Sequence, residues 1–255
     1  MKKKQSVKEI IKWEKRRLAM DSDTMCDWDF AHDKKESPQA YGMAQTYVEN
    51  FPEMKADGSG LFLFGCPGSG KSYMAAEIVN ELTDRGYKCR FTSLLSILND
   101  LSGLAYDNRR NYMNQLCERD LLVLDDLGAE LDSGYSNQVL MQIVTLCHRN
   151  LTPIIVTTPY HKETLEKEGG NPKRMLALSR LMMHSTAYTV PMPGGRRRRE
   201  LLRKQKIETM LKGNAPANAE PLFGSAPYSD NATETAVSEC LPVTAQQKLD
   251  FQENN

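Results

Sequence analysis

Eight consecutive residues decide more about the fold of this chain than any other part of its sequence. The pattern G-x-x-x-x-G-K-[ST] is satisfied by Gly65-Cys66-Pro67-Gly68-Ser69-Gly70-Lys71-Ser72, between the apolar run Leu61–Phe64 and a segment of helical period. Glycines let backbone N–H groups wrap around a phosphate, the lysine offers a cation to the outer phosphates, and the final hydroxyl can bind Mg²⁺. The pattern predicts a loop for a nucleoside triphosphate; the alternative is a glycine-rich turn without a ligand. The predicted contacts to the nucleotide are Gly65, Cys66, Pro67, Gly68, Ser69, Gly70, Lys71, Ser72 and Tyr73.

The surrounding sequence predicts an α/β fold. Between about residues 45 and 200, short β-rich apolar runs alternate with segments of helical period, which is typical of a parallel sheet flanked by helices. In the helix after the first strand we expect Gly86 to act as the C-terminal stop, and in a later helix we expect Ser136 to act as N-cap. The predicted strands are Leu61–Phe64, Tyr87–Thr92, Leu121–Asp125, Ile154–Thr158 and Ala187–Val190.

A second motif adds carboxylates to the predicted phosphate loop. The apolar run Leu121–Leu124 ends in Asp125 and Asp126, at the strand end where α/β sheets bind ligands. Asp125 is expected to hold Mg²⁺ together with Ser72, and Asp126 to orient or deprotonate an attacking water. The alternative is an Asp-Asp turn, since Asp favours turns and Gly128 follows closely.

Composition and charge narrow the class of protein. Hydrophobic residues make up 40% and charged residues 26% of the 255 residues, so a packed core can form. Basic residues dominate 1–20 and 196–206, whereas 213–255 holds one lysine against six carboxylates and few large apolar residues, which predicts a disordered tail. The apolar runs are far too short to cross a bilayer, and the six cysteines lack metal-site spacing, so a cytoplasmic protein without membrane contact is expected.

The order of these motifs resembles the AAA+ ATPases of the DnaC/IstB type, which are helicase loaders and transposition helpers. The resemblance runs from about Tyr47 to Arg199 and implies a P-loop AAA+ sheet flanked by helices. Together with the composition of the tail, it predicts three regions: a helical partner-binding region over 1–44, the ATPase domain over 45–212 and the acidic tail, expected to be disordered, over 213–255. The residues that carry the resemblance are the phosphate loop, Asn80–Gly86, Leu121–Glu130, Leu151–Thr158 and Ser179-Arg180-Leu181.

The resemblance also implies roles for single residues. Thr157 and Thr158 end the strand that senses the γ-phosphate, but Pro159 stands where the family usually has an asparagine, so Thr158 substitutes or sensing is weakened. Arg180 matches the arginine finger that reaches the nucleotide of a neighbouring subunit, and the alternative is an exposed helix arginine. A sensor-2 arginine falls within Arg196–Arg199, where four arginines blur the register.

The implied function is an ATP- and Mg²⁺-dependent ATPase that places a DnaB-type replicative helicase on single-stranded DNA. An IstB-like transposition helper, or an adaptor switched by nucleotide with little turnover, are the alternatives. Residues 7–20 form an amphipathic helix that suits either a groove on a partner or the chain's own ATPase domain. Trp28 and Phe30 either flank the adenine or belong to the core, and Arg196–Arg199 either contact DNA phosphates or form a solvated charge run.

Overall fold

The fold is described from a computed structural model of the chain. The structure describes residues 7–131, 133–160, 172–191, 202–203 and 206–207. The chain divides into two compact units, Met1–Met192 and Pro193–Asn255. In the second unit the described residues, 202–203 and 206–207, are helical, and the predicted disordered tail lies outside the described residues.

The first unit is built on a parallel five-stranded sheet with the strand order β2-β3-β4-β1-β5. This confirms the predicted α/β class, and each predicted strand is present with ends shifted by at most two residues. The sheet places β4 between the strand that leads into the phosphate loop and the strand that ends in the carboxylates. The strands are β1 (Gly60–Phe64), β2 (Cys89–Ser93), β3 (Leu121–Asp125), β4 (Ile154–Thr157) and β5 (Ser185–Thr189).

Helices cover both faces of the sheet and bury two hydrophobic clusters. Because side chains alternate along a strand, Leu61 and Leu63 of β1 join the cluster packed by α1, α2 and α4, whereas Phe62 and Phe64 join the cluster packed by α5 to α8. No helix among the described residues is long and apolar enough to cross a bilayer. The described α-helices are α1 (Val7–Ala19), α2 (Pro38–Glu49), α3 (Phe51–Asp57), α4 (Lys71–Asp84), α5 (Leu94–Gly103), α6 (Tyr106–Cys117), α7 (Gly134–Asn150) and α8 (Pro172–Met183).

The structure tests the two helix ends that were predicted from the sequence. Gly86, at φ +99°, follows the end of α4, and the next amide donates to Leu82 O at 3.0 Å, so the predicted stop is confirmed. The prediction that Ser136 caps α7 is wrong. Ser133 is the N-cap, and its hydroxyl accepts from the Ser136 amide at 3.0 Å while Ser136 Oγ accepts from the Ser133 amide. This reciprocal arrangement satisfies two free amides, which a cap three residues later cannot do.

Helix α1 is fixed to α4 by a buried arginine. The Arg16 guanidinium donates to both carboxylate oxygens of Asp84 at 3.1 and 2.5 Å, to Asp29 Oδ2 at 2.8 Å and to Cys26 O at 2.7 Å. A bidentate arginine–carboxylate contact of this kind fixes orientation as well as position. The N-terminal helix therefore has a defined place on the helix that follows the phosphate loop.

Candidate functional site

The predicted phosphate loop joins the end of β1 to the start of α4, which begins at Lys71. Gly65 has φ +142°, and a Cβ at this position would lie 2.6 Å from Val190 O. Gly70, the N-cap of α4, has φ +104°. Side chains are excluded at the first of these positions by space and strained at both by the backbone. The loop can thus present its amides only because glycine occupies these places.

Two buried side chains of the loop, Lys71 and Ser69, carry hydrogen-bond donors. Lys71 is 7% exposed, and its ammonium donates to Gly65 O at 2.7 Å and Cys66 O at 3.0 Å. Burial lowers the pKa of Lys71, while Asp126 and Asp125 act in the opposite direction. The Ser69 hydroxyl is buried without a hydrogen-bond partner among the described residues. A buried hydroxyl without a partner inside a glycine-rich loop fits a phosphate oxygen as its ligand.

The carboxylates meet this loop although β4 separates their strands. Burial raises the pKa of Asp125, and hydrogen bonds from Thr157 and Ser72 together with the charge of Lys71 oppose that rise. Ser72 and Asp125, the two residues predicted to hold Mg²⁺, therefore lie near one another. Hydroxyl and carboxylate oxygens beside one another are ligands that suit Mg²⁺.

Thr157 connects the two aspartates. Its Oγ1 donates to Asp125 Oδ1 at 2.6 Å and accepts the Asp126 amide at 2.9 Å. Asp126 has φ +54°, a left-handed conformation that is uncommon outside glycine, and its residue is exposed. The Thr157 hydroxyl thus holds the backbone turn that presents the second carboxylate to solvent.

Thr158 has a different neighbourhood. Its hydroxyl is fully buried, donates to Leu127 O at 2.8 Å and accepts the Tyr160 amide at 3.3 Å. Of the two threonines predicted to end the sensor strand, Thr157 is the one in contact with the carboxylates. Thr158 instead anchors the loop that follows them.

That loop is also fixed by an ion pair that sequence reasoning missed. Glu130 Oε1 lies 2.8 Å from Arg174 Nη1 in α8, and Glu130 Oε2 accepts the Gly128 amide at 2.8 Å. The same arginine nitrogen donates to Asn137 Oδ1 at 3.3 Å. Glu130 belongs to the motif that carries the family resemblance, but its partner is 44 residues away, so no local pattern could have identified the contact.

Arg180 is not brought to the phosphate loop within one chain. It lies on α8, donates to Thr145 Oγ1 at 3.1 Å, and lines a small cavity with His148 and His184 near the amino ends of β1, β4 and β5. The phosphate loop follows the carboxyl end of β1, so the two features lie at opposite edges of the sheet. Arg196–Arg199 lie outside the described residues.

Aromatic residues before the core border the start of α4. Trp28 stacks on Tyr73 with ring centroids 5.5 Å apart, and Tyr73 Oη lies 3.5 Å from Asp29 O. Phe30 instead packs edge-on against Tyr41. Trp28 is thus the aromatic of the pair that contacts a predicted nucleotide-binding residue.

Comparison with known proteins decides the family. The family model described as IstB-like ATP binding protein matches residues 14–201. The chain belongs to this family of ATP-binding proteins. The match confirms the DnaC/IstB resemblance that the motifs indicated.

Curated relatives include the replicative helicase loader DnaC of Escherichia coli strain K12, which is 32% identical over 133 residues, covering 50% of this chain and 52% of the relative. A putative insertion sequence ATP-binding protein of Sinorhizobium fredii is 26% identical over 144 residues, covering 56% of this chain and 48% of the relative. The chain thus spans about half the length of the curated relatives it matches. Among solved structures, DnaI covers 71% of this chain and 98% of its own at 20% identity with a TM-score of 0.59, which supports the P-loop AAA+ fold.

Proposed function

We propose that this protein binds ATP with Mg²⁺, hydrolyses it, and uses the cycle to place a DnaB-type replicative helicase on single-stranded DNA in the cytoplasm. The observation that carries the ATPase part is the position of β4, which pairs with the strand that leads into the phosphate loop and whose Thr157 donates to Asp125 Oδ1 at 2.6 Å. It joins the two halves of a nucleotide site from separate strands, as hydrolysis of a triphosphate requires.

Each residue of the site has a chemical task in this proposal. The amides of the phosphate loop hold the outer phosphates, and Lys71 exchanges its contacts with two loop carbonyls for phosphate oxygens. Ser72 and Asp125 would hold Mg²⁺, which would neutralise the charge that develops on the phosphates. Asp126 orients the attacking water and accepts its proton, and Thr157 fixes the position of Asp126.

The exposed face of α1 supports a protein partner. Val7, Ile11 and Leu18 lie on one face at helical spacing and are 72%, 51% and 76% exposed, whereas Arg16 and Ala19 are buried on the opposite side. Of the two roles left open for this amphipathic helix, the face with Arg16 and Ala19 packs on the chain's own domain, and the exposed stripe on the other face is suited to a groove on a partner. We assign the helicase to this face because one relative is named as a replicative helicase loader.

A transposition helper remains a second candidate because the other relative is named as an insertion sequence ATP-binding protein. A nucleotide-switched adaptor is a third, since Pro159 lacks a side-chain donor and the Thr158 hydroxyl is engaged by Leu127. In all three, Arg180 would act on the nucleotide of a neighbouring subunit, because it lies away from the nucleotide site of its own chain.

The site is tested with two substitutions and a control. We expect Lys71→Ala to abolish binding of a fluorescent ATP analogue, and Lys8→Ala, at an exposed lysine of α1, to leave it unchanged. Asp126→Asn should preserve binding and lower phosphate release by about 10²–10⁴-fold, the usual contribution of a general base. Unaltered ATP affinity in Lys71→Ala would refute the site, and negligible turnover in the intact protein with single-stranded DNA would favour the adaptor.

The partner is tested with purified proteins. The double variant Ile11→Asp/Leu18→Asp should lose binding to a DnaB-type helicase and retain ATP binding, whereas Lys8→Asp, which adds the same charge off the stripe, should retain both. Binding of a purified transposase in place of the helicase would establish the second candidate.

A further inference from the structure

A pocket of about 210 Å³ lies at the edge of the sheet opposite to the phosphate loop. It is formed where α1 and α4 end and β2 begins, and the buried residues Thr83 and Cys89 are among those that line it. Helix α4 has 14 residues, so its two ends are about 21 Å apart. The pocket is therefore separate from the nucleotide site described above.

Three cations surround the pocket: Lys15, Lys88 and Arg119. None of them forms an ion pair with another residue of the described part of the chain. The neighbouring carboxylates are engaged elsewhere. Asp84 pairs with Arg16 and Lys12, and Asp120 pairs with Lys55 and accepts the Lys88 amide. Against the effect of its burial, Lys55 and then Lys88 lower the pKa of Asp120, so this carboxylate offsets part of the charge and an excess of positive charge remains at the pocket.

Two donors in this pocket also have no oxygen or nitrogen acceptor. The Thr83 hydroxyl, on a residue only 5% exposed, has only the Cys89 sulfur, a weak acceptor, beside it, and Arg119 Nε is buried without a hydrogen-bond partner among the described residues. A buried donor without a partner is destabilising and is rare in folded proteins. Both groups would be satisfied by a ligand that supplies acceptor oxygens.

The remaining charges of the pocket do not cancel the cations. Burial raises the pKa of Cys89 to about 12, so its thiol stays neutral beside Thr83. The C-terminal ends of α1 and α4 each contribute about half a negative charge, which is less than the three cations together. A small carboxylate would leave much of the volume unfilled, whereas a tetrahedral oxyanion with part of its attached group fits the volume and the donors.

We propose that this pocket binds the phosphate group of a phosphate ester. Lys15 and Lys88 would hold the charge at the rim, while Arg119 and the Thr83 hydroxyl would donate to phosphate oxygens inside. The proposal is independent of the phosphate loop and of the ATPase activity.

The pocket is tested by titrating the full chain with inorganic phosphate and recording amide chemical shifts by NMR. The amides of Gly86 and Lys88 report on the pocket, and the Gly70 amide reports on the phosphate loop. We expect the Gly86 and Lys88 amide shifts to saturate with phosphate and to remain in Lys71→Ala. Phosphate binding in the pocket is thereby distinguished from phosphate binding in the loop, even if one of the two sites does not bind phosphate. Equal shifts with sodium chloride at matched ionic strength would overturn the proposal.

Substitutions at exposed lysines avoid a loss of folding. Lys15→Gln/Lys88→Gln should weaken the phosphate response in the pocket by at least about tenfold, equivalent to 1.4 kcal/mol. The control Lys8→Gln/Arg110→Gln removes two exposed charges outside the pocket and should leave the response unchanged. Equal affinity in both double variants would overturn the proposal.

The inner donors and the source of the phosphate are tested last. Thr83→Val keeps the shape of the side chain and should lower phosphate affinity; an unchanged affinity would remove Thr83 from the site. Thymidine monophosphate and a short oligothymidylate then compete with inorganic phosphate. Stronger competition by the first identifies a free phosphomonoester, stronger competition by the second identifies a nucleic-acid backbone, and failure of both rejects a phosphate ester.

Discussion

Replacing Arg174 by methionine tests whether the buried ion pair stabilises the loop after the aspartates. Glu130 has a side chain only 1% exposed, and Arg174 provides its cation at 2.8 Å. In Arg174→Met the carboxylate keeps the Gly128 amide as donor but loses its counter-charge. Removing one partner of a buried pair usually costs about 3–5 kcal/mol, because the other charge stays buried and unpaired.

The measurement is urea denaturation at neutral pH, followed by circular dichroism. We expect Arg174→Met to lower the free energy of unfolding by about 3–5 kcal/mol, or the melting temperature by roughly 6–20 °C for a domain of this size. The double variant Glu130→Leu/Arg174→Met should lose much less than the sum of the single variants, because an apolar pair leaves no buried charge.

A control lies on the same helix. Arg180 is half-buried and donates to one hydroxyl, that of Thr145, so Arg180→Met should change stability by less than about 0.5 kcal/mol. If Arg174→Met cost no more than Arg180→Met, the ion pair would not exist in solution, and the account of how α8 holds the loop would be wrong.

Two further predictions concern the pH dependence of stability and the threonines at the end of β4. Burial, with Asp33 next in effect, raises the pKa of Glu77 from 4.5 to about 9, so the folded chain binds more protons and its stability falls as pH rises between these values. Glu77→Gln should flatten the dependence of the free energy of unfolding in urea on pH. The control Glu81→Gln, on the same helix, should give a pH profile parallel to that of the unmodified protein. A parallel profile for Glu77→Gln would contradict the raised pKa of Glu77. Thr157→Val should lower kcat for ATP by about tenfold or more with little change in KM, because a hydrogen bond to a charged group is lost. Thr158→Val should instead cost about 1 kcal/mol of stability, and the reverse pattern would make Thr158 the sensor.

The parts of the site that the sequence predicts depend on neighbouring residues. The phosphate loop follows from glycine, lysine and serine at fixed spacing, and the carboxylates follow from their place at the end of an apolar strand. Each of these two motifs is contained within about ten residues of chain. The motif and the residues that flank it were therefore sufficient to predict this part of the site.

The rest depends on contacts between distant segments. Thr157 meets Asp125 across 32 residues, and Arg174 meets Glu130 across 44, because the strand order brings these segments together. The misplaced cap of α7 has a local cause. Ser133 and Ser136 are both suitable residues, and only the reciprocal hydrogen bonds distinguish the cap from the third helical position.

For the N-terminal helix, one property could be predicted from neighbouring residues and another depends on distant ones. Its apolar stripe was visible in the sequence, but whether that stripe faces inwards was not. The burial of Arg16 decides this, since a charged side chain can face the core only where carboxylates receive it. Its two carboxylate acceptors, Asp29 and Asp84, are too far along the chain to be recognised as a pair beforehand.

The anchoring of α1 has a practical consequence for chimeric proteins. A shortened chain starting at residue 45 would deprive Asp84 of Arg16. It would also deprive the Asn80 side-chain nitrogen, Nδ2, of the two carbonyls, Met25 O and Trp28 O, to which it donates at 2.8 Å. Both lost contacts belong to the helix that leads away from the phosphate loop. Grafting this N-terminal segment onto a relative would therefore succeed only where the recipient supplies matching polar groups on that helix.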